Sequence, residues 1–210
     1  MKIPVSDIAF TPTVKNVQER MGSRDNYARM EQRGGWKDRV NPMLESFIAN
    51  LDTFFLGTVS SEGQPYIQHR GGPRGFLKVL NESTLGFGDF EGNLQYITVG
   101  NLQDNHKAFL FLLDSANRRR IKVWGRAEVI ENDPELLRKF LEPEYGYEPT
   151  RVILFHIDAW DVNCPQHITP RYTESEIAEL VQPLKDRIAE LEAELGESRA
   201  VPAPVPARSK

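Results

Sequence analysis

His69 and Arg70 stand beside two glycines in Tyr66-Ile-Gln-His-Arg-Gly-Gly-Pro-Arg-Gly-Phe-Leu-Lys-Val-Leu80. A guanidinium grips a phosphate through two parallel hydrogen bonds. Bare backbone at Gly71 and Gly72 lets a flat or phosphorylated ligand come close. The same residues also suit a strand end with a glycine turn. Gly88-Asp-Phe-Glu-Gly-Asn93 repeats the theme after another strand. It reads as a turn followed by a helix start, whose free N–H groups form an anion site, or as an ordinary turn. Arg118-Arg-Arg120 with Lys122 and Arg126 forms a basic run. Arg120, Lys122 and Arg126 share one face of a strand, so their field is concentrated. A phosphate site and an acidic partner chain explain that cluster equally well. Asn163-Cys-Pro-Gln-His-Ile168 carries the one cysteine. Cys164 as a nucleophile would need a positioned base and a lowered pKa. The reading preferred here is a small buried hydrophobe. His69 and His167 are the candidates for general acid or base, and a satisfied structural histidine is the rival reading of His69.

The elements that must position these residues follow from the hydrophobic period. Val14–Met21 and Asp25–Gln32 read as short helices in a polar, glycine-broken arm, residues 1–41, that wraps the core or a partner subunit. Asn41-Pro42 is an N-cap followed by proline at the first helical position, opening an amphipathic helix over 42–51. From Thr53 the period changes to that of strands: 53–59, 65–70, 77–80, 84–87, 108–113, 119–130 and 152–160, mostly joined as hairpins. Ala108-Phe-Leu-Phe-Leu-Leu113 is almost wholly apolar and reads as a strand buried on both faces. Residues 94–105 read as a polar loop or short helix, and Asp133-Pro134 opens a helix through Phe140. The fold class is mainly β, an antiparallel barrel decorated with short helices.

Thr173 and Glu176 form a capping-box pattern at the head of a helix over 172–198. Ile177, Leu180, Leu184, Ile188, Leu191 and Leu195 follow at 3-4-4-3-4 spacing, about two and a half heptads. Such a seam packs on its own barrel or pairs across a dimer. Residues 199–210 are Pro-rich and read as a disordered tail.

A net charge of −4 argues against nucleic acid as the main partner. No run of 18 apolar residues predicts a membrane helix, and no apolar signal segment opens the chain, so a cytoplasmic location is expected. One cysteine excludes an internal disulfide, and no Cys/His cluster has zinc spacing. No nucleophile elbow, P-loop or dinucleotide fingerprint occurs; Gly86–Gly92 lacks a surrounding βαβ unit.

The order of pieces resembles the pyridoxamine 5′-phosphate oxidase-like, FMN-binding split-barrel family. Those pieces are Gly63-Gln-Pro65, Gln68–Phe76, Thr84–Phe87, Gly92-Asn93, Phe109–Leu113 and Ile121–Ala127, with the closing Asn163–Ile168 typical of one branch. The resemblance covers roughly residues 42–171 and implies that they form a split β-barrel domain, in a homodimer with FMN at the subunit interface. By position it assigns Gln68, His69, Arg70 and Gly71 to the flavin and its phosphate, and Gly92 and Asn93 to the phosphate. Arg120 and Lys122 would lie beside the isoalloxazine ring, and Gln166 and Arg171 would reach the partner's cofactor. The chain departs from the oxidases at two places. Asn93-Leu94 stands where they carry Arg-Lys, and Gln166-His-Ile-Thr-Pro-Arg171 replaces their Arg-x-His-x-Arg. A site without those cations should hold pyridoxamine phosphate poorly. The expected function is an FMN-dependent oxidoreductase acting on a small molecule. The alternative is a non-catalytic flavin carrier, sensor or haem-binding module on the same fold. A deazaflavin in place of FMN also stays open.

Overall fold

Strand β1 (Thr53–Val59) buries Phe54, Leu56 and Thr58 and leaves the residues between them half-buried, the signature of a strand with one face on a core. It belongs to a seven-stranded antiparallel sheet in a computed structural model that describes residues 3–200. The other strands are β2 (Pro65–Gly71), β3 (Lys78–Asn81), β4 (Thr84–Phe90), β5 (Lys107–Asp114), β6 (Arg119–Ile130) and β7 (Pro149–Val162). Their order is β2-β1-β5-β6-β7-β4-β3. The edges β2 and β3 do not pair. Phe54 of β1 nevertheless packs against Phe76 at 5.3 Å and against Phe87 of β4 at 5.1 Å. The sheet therefore curls around one apolar core with its seam open, an antiparallel split barrel.

Short helices plug and frame this barrel. Asn41 caps α3 (Pro42–Ala49), its Oδ1 accepting from the Leu44 N–H at 2.9 Å, and Leu44, Phe47 and Ile48 enter the core. Ahead of it, α1 (Pro12–Arg20) and α2 (Arg24–Gln32) lead to Trp36, which stacks on Trp124 of β6 at 4.6 Å. Trp160 Nε1 donates to the Arg39 carbonyl at 2.8 Å. The N-terminal residues thus pack on this chain's own barrel. Between β4 and β5 lies α4 (Ile97–Asp104), and between β6 and β7 lies α5 (Pro134–Arg138), shorter than the helix expected through Phe140. One bulge, between Trp124 and Gly125, needs its glycine: a Cβ there would lie 2.1 Å from the His156 carbonyl oxygen.

Two expectations change. The Asp89–Asn93 stretch is not a turn into a helix. Strand β4 continues through Phe90, because Asp89 and Phe90 still pair with β7, and the helix waits until Ile97. Strand β5 is not buried on both faces: Ala108, Leu110 and Leu112 are buried, but Phe109, Phe111 and Leu113 on the outer side are only partly covered.

The chain divides into two units, Met1–Ile168 and Thr169–Lys210. In the second, Thr173 and Glu176 form the expected capping box. The Thr173 N–H donates to Glu176 Oε2 at 2.8 Å, and the Glu176 N–H donates to Thr173 Oγ1 at 3.3 Å. Helix α6 (Glu174–Ala200) follows, with Pro183 inside it. The expected tail, 199–210, lies outside the described residues from 201 on.

Candidate functional site

Strand β2 pairs with β1 in the register Phe54↔Arg70, Phe55↔His69 and Leu56↔Gln68. Residues opposite each other share a face, and Phe54 and Leu56 are fully buried. Gln68 and Arg70 therefore sit on the core side of an edge strand, and His69 sits on the outer side. A guanidinium placed there needs a counter-charge. Asp89 of β4 supplies it, hydrogen-bonded to Arg70 Nη1 across the open seam, with the two side chains only 12% and 10% exposed. Asp89 also faces Arg151 in the β4–β7 register, with Arg151 Nε 3.5 Å from Asp89 Oδ2. Arg151 Nη1 further donates to Glu131 Oε1 at 3.1 Å, and its guanidinium lies over the Tyr96 ring at 5.2 Å. One buried carboxylate thus stands between two guanidiniums. The Nε of Arg70 is buried and has no partner. Arg70 and Arg151 line the adjoining space together with the carboxylates of Asp89 and Glu91.

That space is an open cleft whose walls include Tyr66, Gln68, Arg70, Asp89, Arg151 and the segment Glu91–Val99. Leu94 and Tyr96 adopt left-handed backbone, turning the chain sharply before α4. No side chain caps α4, so its first-turn N–H groups remain donors beside the two arginines. Thr98 Oγ1 donates to Gln68 Oε1 at 2.6 Å, which fixes the helix start against β2. A second opening shares Gln68, Arg70, Phe90 and Gly92 and adds Gly71, Phe76, Phe87 and Gly88. The first region suits an anion. The second has aromatic walls and glycine edges suited to a flat ring.

The predicted residues distribute unevenly over this geometry. Gln68, Arg70, Gly92 and Asn93 line the first opening; Gln68, His69, Arg70, Gly71 and Gly92 line the second. A Cβ at Gly92 would meet nothing within 4 Å, so that backbone is open to a ligand. Gly72 is not: a Cβ there would lie 2.6 Å from the Phe76 ring. Its bareness admits a side chain of the same protein, not a ligand. His69 is exposed on the outer side and bonded to Thr53 Oγ1 at 2.6 Å. His167 is exposed with φ 62°, and no hydrogen bond joins the two histidines among the described residues. Gln166 is exposed and lines neither opening; Arg171 is exposed in the second unit. Cys164 is exposed, contrary to the expected burial, because the segment after β7 leaves the sheet before Ile168 re-enters.

Arg120 and Lys122 lie on the outer side of β6, in register with Leu113 and Phe111. Lys122 is already engaged, 5.2 Å from the Trp36 ring centre, 5.0 Å from that of Trp124, and 3.6 Å from Asp161. Burial raises the Asp161 pKa above the ordinary carboxylate value, and Lys122 opposes that rise. Arg120 keeps a buried Nε with no partner.

Sequence reasoning did not single out Arg151, Tyr96 or Thr98. Arg151 had a signal. It falls in the row with Ile153 and Phe155, both fully buried, so a charge stands in a core-facing row. No group of three or more His, Cys, Asp or Glu among the described residues could hold a metal ion. None of their helices is long and apolar enough to cross a membrane.

Residues 40–164 match the family described as pyridoxamine 5′-phosphate oxidase. No curated protein matches. Among solved structures, the chain is similar to HupZ of Group A Streptococcus at 19% identity, with 63% of this chain and 99% of that one covered and a TM-score of 0.49. It is similar to an FMN-binding protein of Syntrophomonas wolfei at 14% identity, over 72% and 95% of the chains, with a TM-score of 0.45. It is also similar to a Clostridium acetobutylicum protein of the pyridoxinephosphate oxidase family, related to general stress protein 26, at 15% identity. There the coverage is 63% and 92%, and the TM-score is 0.45.

Proposed function

The chain belongs to the pyridoxamine 5′-phosphate oxidase family, and from that premise we propose that it binds FMN and works as an oxidoreductase on a small molecule. One observation carries the reading. Arg70 and Arg151 converge on a single buried carboxylate beside an uncapped helix start, and Arg70 keeps a buried donor without a partner. That donor set fits a phosphate monoester. Arg70 and Arg151 would hold it by charge, the first N–H groups of α4 would donate to it, and Gly92 would let it approach the backbone. Phe76, Phe87 and Phe90 would bound the flat ring. FMN, once bound, supplies hydride and single-electron chemistry.

The chain's own residues set the conditions for that chemistry. Arg120 and Lys122 face away from the cleft, so they can serve a flavin only across a subunit interface. The partly covered outer row Phe55, Phe109, Phe111 and Leu113 supports such an interface, because it leaves apolar surface unpartnered in one chain. The assembly proposed is a homodimer in which each barrel's outer side closes the other's flavin site. Arg120, with its free donor, is better placed than Lys122 to offset negative charge on a reduced ring.

Titration of the purified protein with FMN, followed by flavin fluorescence, tests this reading. One FMN per chain and bleaching by a reduced nicotinamide are expected. Binding without reduction by any donor would leave a flavin carrier. A protein that binds no added FMN, or that gives a Soret band with haem instead, overturns the proposal.

A further inference from the structure

Helix α6 presents an exposed apolar stripe. Leu184, Ile188, Leu191 and Leu195 are 64%, 56%, 41% and 59% exposed, and Ile177 and Leu180 continue the stripe. Its repeat is not the heptad. Ile177 recurs as Ile188, Leu180 as Leu191 and Leu184 as Leu195, so the unit is eleven residues. Eleven residues make three turns at about 3.67 per turn, which keeps the stripe nearly parallel to the axis. The stripe therefore stays on one side for its whole length and can meet another helix without strong supercoiling.

The charges beside the stripe identify that helix. On one flank stand Lys185 and Glu192; on the other stand Arg187 and Glu194. A parallel second copy would set Lys185 against Arg187 and Glu192 against Glu194, like against like. An antiparallel copy sets each flank against the same flank of its partner. With Leu184 opposite Leu195 and Ile188 opposite Leu191, Lys185 then meets Glu192 and Arg187 meets Glu194, each pairing occurring twice. Arg187 is exposed, 2.7 Å from Glu190 and 3.8 Å from Glu194, both on its own helix. The complementary segment is bounded by Pro183, which weakens the helix before Leu184, and by Gly196, which does so after Leu195.

We propose that Leu184–Leu195 pairs antiparallel with the same segment of a second copy of this chain. Four leucine and isoleucine layers from each helix form the contact, and two pairs of flank charges on each side fix direction and register. Twelve residues are too short to hold two chains alone. The contact adds to a dimer built elsewhere on the molecule and joins subunits through their C-terminal helices. It does not depend on the flavin reading.

Paired spin labels on the full-length Cys164→Ser protein test direction directly. Ala189→Cys labels should lie within about 20 Å of each other, since helix axes pack 8–10 Å apart. Ala178→Cys labels should lie roughly 35 Å apart, from about 23 residues of axial offset at 1.5 Å each. Short distances at both sites would mean parallel pairing and overturn the proposal. So would the lack of a short distance at Ala189, the result for a helix docked on a barrel. Charge reversal gives a second readout by sedimentation. Lys185→Glu with Arg187→Glu should weaken association roughly tenfold or more, by turning four attractions into repulsions. Adding Glu192→Lys and Glu194→Lys in the same chain should restore it. A quadruple variant that stays as weak as the double one rejects the register. FMN uptake, measured on the same samples, reports on the flavin reading separately.

Discussion

At the scale of single residues, the proposed phosphate site rests on two arginines and one aspartate. Removing a charge-assisted contact to a bound anion costs about 1.5–3 kcal/mol, or about 10- to 150-fold in affinity. Arg70→Ala is expected to weaken FMN binding by that amount, and Arg151→Ala by a similar or smaller amount because Glu131 shares its charge. Fluorescence titration measures both, and an unchanged dissociation constant in either variant removes that residue from the phosphate site. Arg70 was legible because a cation beside glycines at a strand end is conspicuous in a row of letters. Arg151 was not, because the expected strand began one residue later and left it in a loop. On the outer side, Asp161 gives a pH signature. Its folded pKa lies above its unfolded one, so its contribution is complete at low pH and is lost as pH rises through the folded value. Wild-type stability should therefore fall relative to Asp161→Asn as pH rises from about 4 to 7. Urea midpoints of the two proteins across that range give the slope, and parallel curves would show that Asp161 is not perturbed.

At the scale of elements, the strands, their hairpins and the capped helices followed from period and turn chemistry, since both act over a few neighbouring residues. The uses of the glycines did not, because a glycine's letter does not say which atom occupies the space beside it. Gly72 shelters the Phe76 ring and Gly92 faces open space. Gly72→Ala should lower stability by about 1–3 kcal/mol through overpacking. Gly92→Ala should leave stability within about 0.5 kcal/mol and weaken FMN binding instead. Denaturant melts and flavin titrations of the two variants should give opposite patterns. Matching patterns would undo the distinction. The shift of the α4 start from the Gly92 region to Ile97 has a similar origin. Leu94 and Tyr96 take left-handed backbone that their residue types do not announce. The outer side of β5 read as buried because an apolar run cannot reveal whether its second cover comes from the same chain.

At the scale of the whole molecule, that half-covered side becomes the main test of assembly. Phe111 lies on it, two strands away from Arg70 and on the opposite side of the sheet. Phe111→Glu should split a dimer formed there and reduce FMN uptake, though it lines neither opening. Sedimentation and flavin titration at matched concentrations measure the two effects. Loss of the dimer with full FMN affinity would place the cofactor within one subunit. The N-terminal residues sharpen the expectation, because Trp36 and its neighbours already cover the Trp124 end of that side. A partner is left only the β1–β5 end, where the uncovered phenylalanines lie.

Asp89 gives the cleft a selectivity that depends on valence. A visitor to the two guanidiniums competes with a carboxylate already seated between them. A singly charged acid merely exchanges one negative charge for another and gains little for the exchange. A dianionic phosphate ester brings a second negative charge, enough to match both Arg70 and Arg151 once it has displaced Asp89 from between them. The pair thus counts charges before any ring is recognised, so riboflavin, with the same ring system and no phosphate, should be turned away.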